Sequence, residues 1–457
     1  MINIQKFFLF IFLLFKLVFN QNGIITLPFK KEIPDINGIK QKEFIFPKMA
    51  SNLIMAELKV GTNPQPIKLR LEFESYLFYI ASQSSLSDIK FNQKESKTYH
   101  VIEDKTINIE ISKLNKAIYS SDYIYYNSNK KYNTTFLLGI DTDEDKSGGL
   151  IGLNIEDENE AKKYSKYNFI NELKRINIIN DYYFSIKYTS KNSGKIFIGD
   201  LPHNFDKNYN KEDFRDTYAD FSEKDLTWKL KLDKIYQAEE ENAKEKTDVE
   251  QFGYGYFRIE KNIIEGTEKY RQVLLKTFMT ELIDKELCFE LKTDIYYSYY
   301  CKKEADISKM KNLYFYNKKL DYTFELTYKD VFYYNEYDGY QYLLIVFSSD
   351  TDDEEIGYNE FWIFGEPIFR KYQFIFNKNS KRIGLYTNID SNNKKKSSFF
   401  SKNKWYIFLI ILLIILCCAM GVLFYLYLKR KPKRKVKANE LDDDFDYTAT
   451  QNKLVEE

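Results

Sequence analysis

Apolar and polar residues alternate along short runs through most of the chain, and one of these runs carries two acids. The stretch KLRLEFESYLFYI (68–80) alternates charged with apolar residues up to Phe73 and is almost entirely apolar after Glu74. A period of two is typical of a half-buried strand, in which successive side chains point to opposite faces. Glu72 and Glu74 therefore lie beside a predicted core, which indicates either a strand with one solvated face or an active site.

Runs of the same kind recur and predict a mostly β protein. They are MAELKVGTN, IKLRLEF, YLFYI, YIYYN, TTFLLGI, YYFSIKYT, GKIFIGD, LTWKLKLDKI, YGYFRIE, LYFYNKKLDYTFELT, YQYLLIVF, FWIFGEPIF and YQFIFN. Clusters of Lys, Asn, Asp and Gly separate them, as expected of turns. Apolar residues at helical spacing predict helices within 157–177 and 264–287. The charge-rich segment 238–250 is predicted to be a solvated surface loop.

Two longer apolar runs lie near the ends of the chain. Lys6 precedes the first, 7–15, an arrangement typical of a secretory signal peptide, which we assign to 1–20. The second run, 405–428, carries no charge and is long enough to cross about 30 Å of hydrocarbon. A basic cluster follows at 429–437, which favours the cytosolic side. The predicted topology is type I, and Asn133 begins the sequon NTT, which predicts a glycosylated surface loop in the lumenal part.

Composition changes this picture little. The chain has 457 residues, enough for two ordinary domains, and its net charge of +1 gives no global attraction to nucleic acid. Tyr (39) and Phe (37) are frequent. Aromatic residues favour strands, although a codon bias would produce the same excess. We therefore expect no nucleic-acid partner.

The cysteines and histidines narrow the possible chemistry. Cys288 and Cys301 lie in the part predicted to be lumenal, which is an oxidising compartment, and are expected to form a disulfide. His100 and His203 are far apart and belong to no cluster of cysteines and histidines. Neither a zinc site nor a histidine-dependent nucleophile is predicted, and no metal or other cofactor is expected.

Several motifs, in their order along the chain, resemble those of the pepsin-like aspartic proteases. VGTNPQPIKLRLEFESYLFYI resembles that family's I-G-T-P-x-Q followed by D-T-G-S-S-x-L-W-V, and GGLIGLN resembles D-G-I-L-G-L-G. SGKIFIGD resembles x-G-x-L-x-F-G-G/D. The longest and most specific match is FWIFGEPIFRKYQFIFNKNSKRIGLY, which resembles W-I-L-G-D-P-F-L-R-K-Y-Y-x-x-F-D-x-x-x-x-R-I-G-F-A. Two large apolar residues followed by glycine occur in each half, as LIG at 150–152 and IFG at 363–365, and this repeat supports two related halves.

The resemblance covers about residues 50–388 and implies a bilobal β fold in which each lobe supplies one catalytic acid. It implies an N-terminal lobe at 50–202 and a C-terminal lobe at 203–388, the latter with a disulfide at Cys288 and Cys301. An N-terminal segment at 21–49 precedes the lobes. A polar stalk at 389–404, the transmembrane helix and a cytosolic tail at 429–457 follow them.

Both predicted catalytic loops depart from the Asp-Thr/Ser-Gly pattern of the family. The aligned positions are Glu72, Phe73 and Glu74 in the first loop and Glu260, Lys261 and Asn262 in the second. An acid remains at each dyad position, but each acid gains a methylene, the hydroxyls are lost, and larger residues replace the glycines. Two carboxylates that share one proton require tight geometry, and a misplacement of about 1 Å can cost roughly 100-fold in rate.

The covering hairpin of the family is also altered. The matching segment TINIEISKLNKAIYSSD (106–122) contains no glycine, and Glu110 or Ile111 falls near the position of the family's tyrosine. Three functions follow as hypotheses. The first is a membrane-anchored pseudoprotease that binds peptide or protein, and the second is an active aspartic endopeptidase that uses Glu72 and Glu260. The third is a structural membrane glycoprotein, and all three place the protein in the secretory pathway, the endolysosomal system or the cell surface.

Overall fold

The computed structural model describes residues 23–32, 53–111, 113–126, 130–143, 146–156, 164–221, 227–293, 296–348 and 361–387. All of them belong to one compact unit, Met1–Ile389. The predicted signal peptide, stalk, transmembrane helix and tail lie outside the described residues. Among the described residues, no helix is both long enough and apolar enough to cross a bilayer.

The described residues are mostly β, as the alternating pattern predicts. In the first half the strands are β1 Ile25–Glu32, β2 Leu53–Val60, β3 Gln65–Glu72, β4 Phe78–Ala81, β5 His100–Ile111, β6 Leu114–Tyr126, β7 Lys130–Thr142, β8 Gly149–Gly152, β9 Tyr183–Ser190 and β10 Ser193–Ile198. In the second half they are β11 Phe214–Tyr218, β12 Lys229–Leu232, β13 Lys234–Ala238, β14 Thr247–Glu250, β15 Gly253–Phe257, β16 Ile264–Gly266, β17 Cys288–Lys292, β18 Tyr296–Lys302, β19 Asn312–Asn317, β20 Tyr322–Leu326, β21 Phe332–Asn335, β22 Tyr340–Leu343, β23 Ile345–Ser348, β24 Phe361–Phe364, β25 Ile375–Asn377 and β26 Arg382–Tyr386.

The largest sheet joins strands from both halves of the chain. Its order is β11-β26-β25-β9-β10-β1-β2-β3-β8-β4-β7-β6-β5. Strands β25 and β26, close to the end of the described chain, reach the first half because β25 pairs with β9. Strand β1 lies between β10 and β2, so the N-terminal strand is an internal strand of this sheet. The predicted N-terminal segment thus contributes a strand to the core sheet.

The second half forms two further sheets. One has the order β12-β15-β24-β16-β23-β18-β22-β21, with β17 paired to β18, and the other has the order β14-β13-β19-β20. Cys288 and Cys301 lie opposite each other on β17 and β18 and form a disulfide with an S–S distance of 2.04 Å. The predicted disulfide is therefore confirmed.

Both segments predicted to be helical contain helices. Helix α1 covers Phe169–Arg175 and is capped by Asn168, whose side chain accepts a hydrogen bond from the Asn171 backbone N–H. A 3₁₀ turn at Ser165–Tyr167 precedes it, and 157–163 lie outside the described residues. The second helical segment consists of α2 Glu268–Leu274, a π-helical turn Leu275–Met279 and α3 Thr280–Asp284. Short helices α4 and α5 cover Tyr328–Val331 and Glu366–Lys371.

Two local predictions were wrong. The segment 238–250 is not a loop throughout, because its end forms β14 and pairs with β13. Glu250 is buried there, and its carboxylate accepts a hydrogen bond from the Trp362 indole N–H at 3.2 Å. Asn133 lies on strand β7 opposite Tyr123, and not in a loop. Its side chain is exposed, so glycosylation at this position stays a prediction.

Candidate functional site

The first predicted catalytic loop follows directly from a buried parallel pair of strands. Strand β3 runs parallel to β8, with Leu71 opposite Ile151 and Glu72 opposite Gly152. The next strand, β4, returns antiparallel to β8 and places Phe78 opposite Ile151. Residues 72–76, which we call the first loop, are thereby held between two strands that share one partner.

The second half repeats this arrangement around β24. Phe257 lies opposite Phe364 in the parallel pair of β15 and β24, and Ile264 lies opposite Phe364 in the antiparallel pair of β16 and β24. Phe257 therefore corresponds to Leu71. The residue that follows Phe257, and so corresponds to Glu72, is Arg258. We call residues 258–262 the second loop.

Two glycines support this equivalence between the loops. A Cβ on Gly152 would lie 2.5 Å from the carbonyl oxygen of Ser75, and a Cβ on Gly365 would lie 2.5 Å from that of Lys261. Both distances are far below a normal contact, so each loop needs a glycine where its backbone passes. Ser75 and Lys261 therefore occupy matching places, as Glu72 and Arg258 do.

The alignment of acids predicted Glu260 as the partner of Glu72, whereas strand register assigns Glu260 to the place that corresponds to Glu74. The register places Arg258 at the second dyad position. Lys261 and Asn262 then correspond to Ser75 and Tyr76, and not to Phe73 and Glu74. A signal in the sequence could have found this. Counting back from the apolar pair at 263–264, as from the pair at 77–78, leads to Arg258. The acid at Glu260 favoured the other alignment.

The second residue of each loop is part of the hydrophobic core. Phe73 and Ile259 are both fully buried. The Phe73 ring packs against Phe376, with 5.1 Å between the ring centroids, and against Phe369, with 5.7 Å. These contacts join the first loop to the C-terminal part of the described chain. At this position, the family's pattern has a small hydroxyl residue.

Glu72, the first residue of the first loop, has a cation on its own strand. The Arg70 Nε lies 2.7 Å from the Glu72 Oε1, and both side chains are largely buried, with 5% and 12% of their surface exposed. An ion pair at this depth is held in place by its surroundings, because either charge alone would be costly to bury.

Arg258 connects the two loops through two acids. Its Nη1 lies 3.3 Å from the Glu260 Oε1, to which it donates a hydrogen bond, and it also forms an ion pair with the Glu74 carboxylate. Glu260 itself reaches across, and its Oε2 accepts a hydrogen bond from the Phe73 backbone N–H at 3.1 Å. The side chain of Glu260 is 11% exposed and that of Glu74 is 54% exposed. The loops are thus tied together by charge-assisted contacts.

The remaining predicted loop residues lie beside this network. Lys261 forms an ion pair with Glu265, 3.4 Å between Nζ and Oε1, and Tyr296 donates a hydrogen bond to the same carboxylate oxygen at 3.0 Å. Asn262 is buried. No three side chains of His, Cys, Asp or Glu in the described part of the chain are grouped as metal ligands would be.

The fold and the paired loops can be compared with known families. A sequence profile described as Eukaryotic aspartyl protease matches residues 54–387, most of the chain and nearly all of its described part. The chain belongs to the eukaryotic aspartyl protease family. Within this family assignment, the two strand-loop-strand units around β8 and β24 are the places where the sequence resemblance puts the catalytic acids. No curated protein matches the chain.

The predicted covering hairpin of this aspartyl protease homologue is formed by β5 and β6. The hairpin packs on the end of the first loop and the residue after it, because Tyr76 and Leu77 share an apolar cluster with Leu114 and Tyr119. The hairpin therefore lies next to the first loop.

Proposed function

We propose that this aspartyl protease homologue is a pseudoprotease that binds polypeptide and does not hydrolyse it. The observation that carries the proposal is the register of β15 and β24, which gives Arg258 the place that Glu72 has in the first half. An aspartic protease needs two acids that share one proton, one to activate water and one to protonate the departing group. A guanidinium stays protonated and cannot accept a proton from water.

The ion pairs in both loops support the same proposal. Glu72 is bound to Arg70, and Glu260 is bound to both Arg258 and the Phe73 backbone N–H. Each of these two carboxylates is therefore held by a cation of the protein. Its freedom to hold a catalytic water is reduced accordingly.

We propose a polypeptide in extended form as the ligand. The family fold presents strands and a hairpin beside the paired loops, and extended peptides bind such surfaces by adding a strand to a sheet edge. Strand β5 is one of the two edge strands of the largest sheet, and most of its residues are exposed. This edge offers main-chain donors and acceptors to a ligand.

We further propose that the protein is anchored in a membrane of the secretory pathway, the endolysosomal system or the cell surface. The support comes from the sequence alone: the signal-like run at 7–15, the uncharged run at 405–428 and the basic cluster after it. The bulk of the chain would then be lumenal or extracellular.

Two other functions are supported by particular observations. An active endopeptidase that uses Glu72 and Glu260 is favoured by the hydrogen bond from the Phe73 N–H to Glu260, because this bond brings the second acid to the first loop. A structural membrane glycoprotein is favoured by the packing of Phe73 into the core, which uses the former catalytic loop for stability.

A cleavage assay separates these functions. The purified full chain in detergent is incubated with a denatured protein substrate from pH 3 to 7, and the products are read by mass spectrometry. A variant with both Glu72→Ala and Glu260→Ala is the control. We expect no cleavage that depends on these two acids, together with measurable binding of peptide.

Cleavage by the parent that the double variant lacks would refute the pseudoprotease and establish the endopeptidase. Absence of both cleavage and peptide binding would leave the structural glycoprotein as the function that the contacts support.

A further inference from the structure

The Arg258 guanidinium uses only one of its edges within the protein. Both of its ion pairs, with Glu74 and with Glu260, are made by Nη1. Among the described residues, neither Nε nor Nη2 of Arg258 donates a hydrogen bond to a neighbour. The side chain is 19% exposed, so part of it is accessible to solvent. A guanidinium has five N–H donors in a fixed fork, and most of them are available here.

We propose that Arg258 binds a main-chain carbonyl oxygen of the polypeptide ligand, with Nε and Nη2 as the donors. The inference rests on the proposed function, since it names the group of the ligand that the site recognises. Arg258 lies where the two loops meet. It is next to the Glu260 carboxylate, which accepts a hydrogen bond from the Phe73 backbone N–H. A ligand that reached this junction would contact the accessible edge of the guanidinium.

The charges around Arg258 select the kind of acceptor. Glu74 and Glu260 already share Nη1, so two negative charges face one positive charge. The neighbouring pairs of Arg70 with Glu72 and of Lys261 with Glu265 each balance internally. A ligand carboxylate would add a third negative charge at short range, which costs free energy. A peptide carbonyl accepts the same hydrogen bonds without a net charge, and every residue of a polypeptide has one.

The variant Arg258→Lys tests this role without removing the cation. Lysine keeps a positive charge for Glu74 and Glu260 but loses the planar fork that leaves a second edge for a ligand. A peptide that the full chain binds in detergent is labelled with a fluorophore, and its affinity is measured by anisotropy. We expect the affinity to fall on the order of tenfold, the size of one lost hydrogen bond to a charged group.

Arg271→Lys is the matched control. Arg271 is also a partly exposed arginine of the second half, and it is held by Glu268 and Glu290, neither of which belongs to the two loops. Its substitution should leave the peptide affinity unchanged. Thermal unfolding of both variants shows whether a change in affinity reflects a change in folding.

An amide-to-ester scan of the peptide identifies the acceptor. An ester carbonyl is a weaker acceptor than an amide carbonyl, so one replacement along the peptide should weaken binding to the parent several-fold. The same replacement should have no effect on Arg258→Lys. Equal affinity of parent and Arg258→Lys for the unmodified peptide would overturn the inference and leave the proposed function intact.

The state of the peptide C-terminus provides a second discrimination. If the difference between parent and Arg258→Lys disappears when the terminal carboxylate is amidated, Arg258 binds a carboxylate, and the carbonyl assignment is overturned. If the parent binds no peptide at all, the proposed function fails together with this inference.

Discussion

The two loops share one architecture and differ in their charges. Each loop follows a parallel strand pair, passes a glycine and buries its second residue, Phe73 in one and Ile259 in the other. The charged residue before it is Glu72 in the first loop and Arg258 in the second. The first charge is balanced within its own strand by Arg70, whereas the second is balanced by one acid from each loop.

This difference separates the features that maintain the fold from the charges that the two loops carry. The buried residue and the glycine satisfy packing, and packing is the same problem in both halves. The charged positions differ, because where the family's pattern has two acids this chain has the acid Glu72 and the cation Arg258. Arg258 and Glu260 connect the two loops through the Glu74 carboxylate and the Phe73 backbone N–H.

The largest test of the shared architecture removes the buried residues. Phe73→Ala should lower the free energy of unfolding by about 4 kcal/mol, and Ile259→Ala by about 3 kcal/mol, because each leaves a cavity in proportion to the volume lost. Chemical denaturation measures both. The exposed Leu86 gives the control, since Leu86→Ala should change little. A cost below 1 kcal/mol at either loop position would contradict the packing described here.

The ion pair between Arg70 and Glu72 is tested by removing its cation. Arg70→Met leaves the Glu72 carboxylate without its ion-pair partner in a largely buried place and should cost about 3 kcal/mol. Addition of Glu72→Gln should restore part of the loss, because the uncompensated charge is then gone. If the double variant is as unstable as Arg70→Met alone, the ion pair is not the reason for the cost.

Removal of the cation of the second loop, Arg258, should lower the free energy of unfolding by less. Arg258→Met should cost about 2 kcal/mol, since it removes the hydrogen bond to the Glu260 carboxylate and a hydrogen bond to a charged group contributes about this amount. A double-mutant cycle with Glu260→Gln isolates the coupling between the two side chains. A coupling energy near zero would show that Arg258 does not connect to Glu260 in solution.

The smallest effect is expected at the exposed acid. Glu74→Gln should change the free energy of unfolding by less than about 1 kcal/mol, because a half-exposed ion pair is screened by water and salt. The difference between parent and variant should shrink further in 1 M salt, where the screening length is about 3 Å. A difference that does not depend on salt would show that Glu74 acts through packing and not through charge.

The sequence was a good guide wherever packing sets the pattern. The period of two predicted the strands, and the repeat of LIG and IFG is borne out by Gly152 and Gly365, which serve the same purpose in the two halves. The disulfide followed from compartment and cysteine number. The role of Phe73 did not follow, because a residue between two acids gives no sign of whether it faces the core or the solvent.

Arg258 was missed for a related reason. The family's pattern has an acid at the second dyad position, and the sequence has one at Glu260. The register places Glu260 where Glu74 lies in the first loop. Only the pairing of β15 with β24 fixes the count of residues between strand and loop. The ion pair of Arg258 with Glu74 connects side chains far apart in the chain, and no local pattern indicates such a contact.

The central claim is that a peptide held at this junction is not hydrolysed, and single-turnover mass spectrometry tests it most directly. The full chain is used in excess over a peptide that it binds, between pH 3 and 7, so that even slow cleavage of the bound peptide is detected. We predict that the peptide is recovered intact. Product whose formation rate saturates with protein concentration, and which is absent with the Glu72→Ala and Glu260→Ala double variant, would contradict the claim.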